Sequence, residues 1–249
     1  MPKFFVKQEQ IKDEQITING QDVKHIKNVL REKIGNHITI CDATNSQDYI
    51  CEIIEIEEDN IKCDIIEKLE SNIESNIKVT IFQGLPKSDK MELVIQKSVE
   101  LGVYDIVPVK MKRCVVKLNE KDKIKKIQRW QKISEVAAKQ CGRTIIPQIK
   151  NVLEIKDICD LSEEYDVLLL AYEEEKDNTI KNELEKLKDK SNQELKIGII
   201  IGPEGGIDKE EVDKLKSSGA KIITLGKRIL RTETVALNVL SVIMYELEK

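Results

Sequence analysis

The segment Ile201–Leu237 reads IGPEGGIDKEEVDKLKSSGAKIITLGKRILRTETVAL and shows the strand–loop–helix pattern of an α/β protein. An apolar β-branched run ends at Ile201 and is followed by Gly202–Gly206 (GPEGG). A second run, Ile222–Leu225, is followed by Gly226. Glycine permits close backbone approach, and open α/β sheets bind ligands where the carboxyl ends of strands meet loops. The segment therefore predicts a ligand site between two neighbouring strand ends.

Helix boundaries can be read from the same segment. Asp208 and Glu211 have the spacing of a capping box, which begins a helix directly after the GPEGG loop. Gly219 suits a left-handed cap at the end of that helix. We expect Thr232 to be the N-cap of the last helix, with Glu233 in its first turn. The rest of this helix is apolar nearly all round, which favours a homodimer interface over deep burial within one chain.

The chain before this segment divides into two patterns. Short alternating strands and one helix, Asp22–Leu30, predict a small β-barrel up to about residue 70, followed by a polar linker, Ser71–Asn76. From Val79 onward, strands alternate with helices, which predicts an α/β fold with a mostly parallel sheet covered on both faces. We therefore expect two domains, residues 1–72 and 73–249.

Composition excludes several classes of protein. The chain of 249 residues has no apolar run of transmembrane length, and its first residues lack the pattern of a signal peptide, so we expect a cytoplasmic protein without membrane contact. Its six cysteines include no CxxC pair, and it has two histidines. We expect buried or half-buried thiols in a reducing compartment and no metal site.

Positive charge is concentrated in one segment. The chain carries a net charge of −4, but residues 107–147 contain twelve basic and three acidic residues, which gives that segment +9. Such an excess favours contact with a phosphate backbone, although a solvated helix face is the alternative. Only six of the 41 basic residues are arginines, which suits them to bidentate recognition of phosphate or base edges.

The two glycine loops match neither the dinucleotide-binding fingerprint nor the P-loop. GPEGG alone is also compatible with a structural turn. Together the two loops predict a pocket for an adenosine, with backbone groups reading the adenine edge and apolar side chains packing on the ring. The residues expected to bind this cofactor are Ile201, Gly202, Pro203, Glu204, Gly205, Gly206, Leu225, Gly226, Ile229 and Leu230.

Several segments together resemble the 16S ribosomal RNA uridine N3-methyltransferases of the SPOUT superfamily. The resemblance covers nearly the whole chain in the same order. The matching segments are HIKNVLR (25–31), GLPKSDKMELVIQKSVELGVYDIVP (84–108), KRCVVKL (112–118), RWQKISEVAAKQCGRTIIP (129–147), IGPEGGI (201–207) and LGKRILRTETVAL (225–237). One departure is Cys114, where the family usually has serine.

The resemblance implies an N-terminal PUA-like β-barrel and a SPOUT α/β domain with a deep trefoil knot. It also implies S-adenosylmethionine as the methyl donor, a homodimer, and 16S ribosomal RNA or the small ribosomal subunit as the partner. General topology rules argue against knots, so the residues alone do not predict one. We assign Arg31, Arg113 and Arg143 to RNA, with Arg129 and His25 as further candidates. Structural salt bridges for the arginines and a structural role for His25 are the alternatives.

The reaction itself indicates which side chains are needed. Methylation of uridine N3 requires loss of its proton, so the enzyme must stabilise the uridine anion or accept that proton. Arg231, beside the second loop, is expected to stabilise the anion; its alternative is an ion pair with Glu204 or Glu233. These two glutamates are the candidate bases, unless they cap a helix or orient Arg231. Attack by a thiolate of Cys114 or Cys141 would instead serve methylation at carbon 5, but nothing around them in the sequence marks an activated thiol.

The sequence analysis therefore predicts an S-adenosylmethionine-dependent uridine N3-methyltransferase that acts on small-subunit ribosomal RNA. One rival is a SPOUT enzyme that methylates a ribose 2′-hydroxyl or another base. The other is a non-catalytic RNA-binding assembly factor.

Overall fold

The computed structural model describes residues 3–70 and 73–248, which form two compact units. The first unit contains the described residues up to Glu74 together with Ala138–Ile146, and the second contains Ser75–Ala137 and the described residues from Pro147 onward. The expected domain boundary, between residues 72 and 73, adjoins Ser71 and Asn72, which lie outside the described residues, so it stays a prediction.

In the first unit, the described strands form one six-stranded sheet in the order β1-β4-β5-β6-β3-β2. The pair β1 and β4 is parallel, and the other neighbours are antiparallel. The strands are β1 (Lys3–Val6), β2 (Ile11–Lys12), β3 (Gln15–Asn19), β4 (His37–Asp42), β5 (Gln47–Ile56) and β6 (Asn60–Leu69). Helix α1 (Gln21–Lys24) continues as a π-helical segment, His25–Leu30, where the sequence predicts a helix.

In the second unit, seven described strands form one sheet, and all of their pairings are parallel. The strands are β7 (Ile77–Gly84), β8 (Asp105–Lys110), β9 (Gln148–Ile149), β10 (Leu153–Glu154), β11 (Val167–Ala171), β12 (Leu195–Ile201) and β13 (Lys221–Ile223). The order is β10-β8-β7-β12-β11-β13, with β9 paired to β8. This arrangement confirms the predicted parallel α/β sheet. The trefoil knot stays a prediction of the resemblance.

Six helices accompany this sheet along the chain. They are α2 (Lys90–Glu100), α3 (Glu120–Cys141), α4 (Ile155–Asp160), α5 (Ile180–Glu185), α6 (Lys209–Ser217) and α7 (Thr232–Leu247). Helix α2 packs against α7, and α4 packs against α6. None of the helices within residues 3–70 and 73–248 combines the length and apolar character needed to cross a membrane.

Both faces of the parallel sheet are covered. Phe82, Leu168 and Ile200 belong to a core cluster that includes residues of α4 and α6. Their neighbours Leu169 and Ile199 are also fully buried, although side chains alternate between the two faces of a strand. The sheet is therefore buried on both sides, as its continuous apolar runs predict.

The ends of two helices test the sequence predictions. Asp208 and Glu211 form the expected capping box, and Gly219 has a φ of +100° directly after α6. The N–H groups of Gly219 and Ala220 donate to the carbonyls of Lys216 and Leu215, which completes a Schellman motif.

The predicted N-cap of α7 is wrong. Arg231 occupies the cap position without a side-chain cap, and Thr232 is the first helical residue. Its hydroxyl is held by tertiary hydrogen bonds, described below. Glu233 does lie in the first turn, as expected.

Other differences concern short elements. Between β11 and β12 the chain forms two short helical elements, since α5 ends at Glu185 and a 3-10 turn, Lys188–Lys190, follows. The sequence analysis misses β2, β9, β10 and α4, which span two to six residues each. Elements this short carry too few residues to show a hydrophobic period.

Candidate functional site

A cleft of about 430 Å³ opens at the carboxyl ends of β11, β12 and β13 in the second unit. Strand β11 lies between the other two, and all three are parallel, so their ends meet at one edge of the sheet. The two predicted glycine loops follow β12 and β13 and therefore face a shared space. The volume falls within the range of small-molecule sites.

Nine of the ten residues predicted to bind an adenosine line this cleft. They are Ile201, Gly202, Pro203, Glu204, Gly206, Leu225, Gly226, Ile229 and Leu230. The tenth, Gly205, is not among the lining residues; its carbonyl accepts a hydrogen bond from Arg113 Nη1 at 3.3 Å. Ile229 is 86% exposed, so the structure does not pack it in an apolar contact.

The sequence analysis misses other residues of the lining. They are Lys90, Ala171, Tyr172, Glu173, Thr224, Lys227, Arg228, Thr232 and Val235. Glu173 is the first of three consecutive glutamates, Glu173–Glu175. Both Tyr172 and Glu173 directly follow β11, so the rule that ligands collect at strand ends applies to them as well.

A close turn forms the GPEGG loop. The Gly206 N–H donates to the Pro203 carbonyl at 2.9 Å, and Gly206 has a φ of +70°. An added Cβ at Gly206 would come within 2.5 Å of Glu173 Oε1. The positive φ therefore favours glycine here, whereas the contact with Glu173 involves only the end of an exposed, flexible side chain.

Thr232 joins three parts of the site. Its hydroxyl donates to the Gly202 carbonyl at 2.6 Å and accepts from Gln83 Nε2 at 2.8 Å. Gln83 lies near the end of β7, and both side chains are buried. These bonds hold the start of α7 against the GPEGG loop.

Lys90 contacts both candidate catalytic carboxylates. Its Nζ lies 3.3 Å from Glu204 Oε1 and 3.1 Å from Glu233 Oε2. Arg231 lines the cleft and forms no ion pair with any residue that the structure describes. Arg231 therefore does not pair with either glutamate, which was the alternative to a catalytic role. Lys90 forms the ion pairs with both glutamates instead.

Glu204 lies in an environment that favours its ionised form. Burial raises the pKa of this carboxyl, but hydrogen bonds from its own N–H and that of Lys87, together with the Lys90 ammonium, outweigh burial and lower the pKa below its ordinary value. The Lys87 N–H donates to Oε1 at 3.0 Å. A lowered pKa makes Glu204 a weaker proton acceptor. Glu233 is not among the residues that line the cleft.

Cys114 is placed for structure instead of catalysis. Its Sγ accepts a weak hydrogen bond from the Met111 N–H at 3.4 Å and packs on the core cluster beside α4 and α6. Burial raises the pKa of the Cys114 thiol, so it stays protonated at neutral pH. This environment argues against the thiolate mechanism.

The predicted RNA-binding residues have different surroundings. His25 and Arg31 are exposed in the first unit, where the rings of His25 and Phe4 meet edge to face at 6.2 Å. In the second unit, Arg113 is half exposed, and Arg129 is exposed while pairing with Glu92 at 2.7 Å. Trp130 is buried, so it is not available to stack on an RNA base.

Arg143 forms a buried salt bridge, which is the alternative to RNA binding named above. Its buried guanidinium lies 2.6 Å (Nη2) and 3.1 Å (Nε) from Glu74 Oε2. Glu74 also accepts from the Thr144 and Ile145 N–H groups at 2.8 and 3.2 Å. The guanidinium is committed to this network, so it is not placed for RNA.

The part of the chain that the structure describes contains no cluster of three or more side chains suited to hold a metal ion. Its six cysteines are free thiols.

Comparisons with known proteins match two separate parts of the chain to two family models. A family model described as an RNA methyltransferase domain matches residues 73–244, and one described as an RNA methyltransferase PUA domain matches residues 18–66. The chain is 36% identical to the ribosomal RNA small subunit methyltransferase E of Bacillus subtilis, over 100% of this chain and 98% of that protein. It is 34% identical to the protein of the same name from Mesomycoplasma hyopneumoniae, over 97% and 98%.

A solved structure is similar over the same extent. It is a ribosomal RNA small subunit methyltransferase E from Neisseria gonorrhoeae bound to S-adenosyl methionine. The two chains superpose with a TM-score of 0.85 at 27% identity, over 100% of this chain and 98% of that one.

Proposed function

Because the chain belongs to the RNA methyltransferase family with a PUA domain, we propose that it transfers a methyl group from S-adenosylmethionine to N3 of a uridine in small-subunit ribosomal RNA. The names of its relatives support the ribosomal RNA substrate. The N3 position rests on the sequence resemblance and on the chemistry of the site. We place this activity in the cytoplasm, where ribosomal subunits are assembled.

The observation that carries the proposal is the cleft with an arginine on its wall. Ile201, Leu225 and Leu230 offer apolar surface for an adenine ring, and the strand-end loops offer backbone amides and carbonyls. When bound, S-adenosylmethionine supplies an activated methyl group on a positively charged sulfur. The lining of the cleft fits such a nucleoside, because apolar walls with a few polar groups are typical of cofactor sites.

Arg231 provides the catalytic group. Uridine N3 becomes a nucleophile as its proton leaves to water, and the guanidinium stabilises the negative charge that spreads onto the base carbonyls. A bond then forms between N3 and the methyl carbon while the bond from that carbon to sulfur breaks. Because Lys90 holds Glu204 and Glu233 as ion pairs, we assign catalysis to this anion stabilisation and to alignment of the reactants.

Exposed cations in both units support RNA binding. Arg31 and His25 in the first unit and Arg113 and Arg129 in the second are proposed contacts. Lys121 and Lys125 add two exposed charges one turn apart on α3, and neither forms an ion pair with a described residue. Such lysines bind phosphates without reading sequence.

We also propose a homodimer formed through α7. The side chain of Tyr245 on this helix is 87% exposed, and Leu93 on the adjoining helix α2 is 43% exposed. A second copy would cover both. Analytical ultracentrifugation tests this: Tyr245→Glu should produce monomers, and a wild-type protein that sediments as a monomer would refute the dimer.

Two measurements test the function. Mass spectrometry of nucleosides from 16S ribosomal RNA of a deletion strain should show loss of N3-methyluridine. An unchanged level would refute that product, and loss of a 2′-O-methyl nucleoside or of another methylated base would favour the SPOUT rival.

Calorimetry with S-adenosylhomocysteine separates an enzyme from a non-catalytic assembly factor. The wild-type protein should bind saturably, and Gly206→Trp should abolish binding because the new side chain fills the loop. Thermal unfolding of the variant checks that its fold is intact. A wild-type protein that does not bind would favour the assembly factor.

A further inference from the structure

Glu173 reaches the cleft from the third strand end. It is the second residue after β11, and it lines the cleft together with residues of the loop that follows β13. Its Oε1 is the atom that a Cβ at Gly206 would approach within 2.5 Å. The carboxylate therefore lies beside the GPEGG loop and is exposed at the mouth of the cleft.

The charges around the cleft leave this carboxylate without a partner. The lining contains four basic side chains, Lys90, Lys227, Arg228 and Arg231, and two acidic ones. Glu204 is bound by Lys90 and by the Lys87 N–H. Glu173 forms no hydrogen bond or ion pair with any residue in the described ranges, although cations line the same cleft.

A free carboxylate in a nucleoside cleft is an acceptor for a cationic or hydroxyl donor of the ligand. S-Adenosylmethionine, the proposed methyl donor, has an α-amino acid end whose ammonium has three N–H groups and a full positive charge. Charged groups keep part of their hydration, so this end belongs at the exposed mouth, whereas the adenine belongs against Ile201 and Leu225. Glu173 lies at that mouth.

We propose that the Glu173 carboxylate binds the α-ammonium of the methionyl part of S-adenosylmethionine. This assignment rests on the proposed function and makes Glu173 a binding residue that selects ligands with an amino acid end. A charge-assisted hydrogen bond of this kind is stronger than a neutral one.

Calorimetry with two ligands tests the assignment. S-Adenosylhomocysteine retains the ammonium, whereas 5′-methylthioadenosine retains the adenine and ribose but lacks the amino acid end. Glu173→Gln should weaken binding of S-adenosylhomocysteine about tenfold and change the affinity for 5′-methylthioadenosine less than about twofold. The second ligand also reports whether the variant keeps its cleft.

Asp177→Asn is the matched control, because Asp177 is exposed in the segment that follows β11 and is not among the residues that line the cleft. It should leave both affinities unchanged, which excludes an effect of net charge. An equal loss for both ligands in Glu173→Gln would overturn the ammonium contact in favour of the ribose. Unchanged binding of both ligands would overturn any contact. Failure of the wild-type protein to bind either ligand would refute the proposed function, and this assignment with it.

Discussion

Lys90 and Glu233 form an ion pair of 3.1 Å between the first residue of α2 and the first turn of α7. The same ammonium contacts Glu204 in the GPEGG loop. One cation thus neutralises both candidate catalytic carboxylates, and Arg231 is left without an anionic partner among the described residues.

Lys90→Met should lower kcat at least tenfold, because the released carboxylates become competitors for the Arg231 guanidinium. Steady-state methyl transfer to a small-subunit RNA substrate, at saturating concentrations of both substrates, measures this loss. Adding Glu204→Gln to the variant should restore part of the rate by removing one competitor. Lys97→Met is the control on the same helix, since Lys97 pairs with the surface residue Glu100, and it should behave as wild type. A Lys90→Met enzyme with wild-type kcat would contradict this role.

Arg231→Lys should reduce kcat about a hundredfold, the usual effect of losing a preorganised donor to a developing anion. Lysine keeps the charge but cannot present the planar guanidinium. The affinity for S-adenosylhomocysteine, measured by calorimetry, should change less than about twofold. If kcat stays the same while the cofactor affinity falls, Arg231 holds the cofactor instead of stabilising the base.

Thr232→Val should destabilise the protein by about 1–3 kcal/mol, because it removes the hydroxyl that donates to the partly buried Gly202 carbonyl and accepts one of the two hydrogen bonds donated by the buried Gln83 Nε2. Urea unfolding measures the change. Thr234→Val, at an exposed position of the same helix, should cost much less. Equal free energies of unfolding for the two variants would show that the hydroxyl network adds nothing to stability.

Glu74→Gln should lower the free energy of unfolding by about 2–4 kcal/mol at pH 7, because it breaks a mostly buried ion pair with Arg143. Burial raises the pKa of Glu74, but Arg143 and the Thr144 and Ile145 N–H groups lower it further, so the folded pKa lies below the ordinary value of 4.5. The carboxylate therefore stabilises the fold above pH 4.5, and this contribution is lost as pH falls through the folded pKa.

The difference in unfolding free energy between wild type and Glu74→Gln should consequently shrink as pH is lowered from 6 towards 3. Glu67→Gln, an exposed change in β6, should show little difference at any of these pH values. A Glu74→Gln difference that does not depend on pH would contradict the assigned pKa shift.

Local patterns were sufficient for one part of the site. The two glycine loops and the capping box at Asp208 are visible in the sequence, because turns and caps depend on a few consecutive residues. Lys90 and Glu173 could not be found in this way. They join the site because β7 and β11 are both neighbours of β12, and strand order is a long-range property that hydrophobic periodicity does not contain.

Arg143 shows why a motif alone does not decide between RNA binding and a structural salt bridge. Its motif suggested RNA, but its partner Glu74 lies 69 residues earlier in the chain, too far for any spacing rule to connect the two. The position of Thr232 was misread for a similar reason. A threonine before an apolar helix resembles an N-cap, whereas its partners come from β7 and from the loop after β12.

The cleft is assembled from strand ends at Ala171, Ile201 and Ile223 and from the beginning of α7. A nascent chain has no complete wall for the nucleoside until residue 235 has left the ribosome. Any ligand that needs both glycine loops can therefore stabilise only molecules synthesised beyond that point, and protection from a protease by S-adenosylhomocysteine should distinguish them from chains stopped at residue 220.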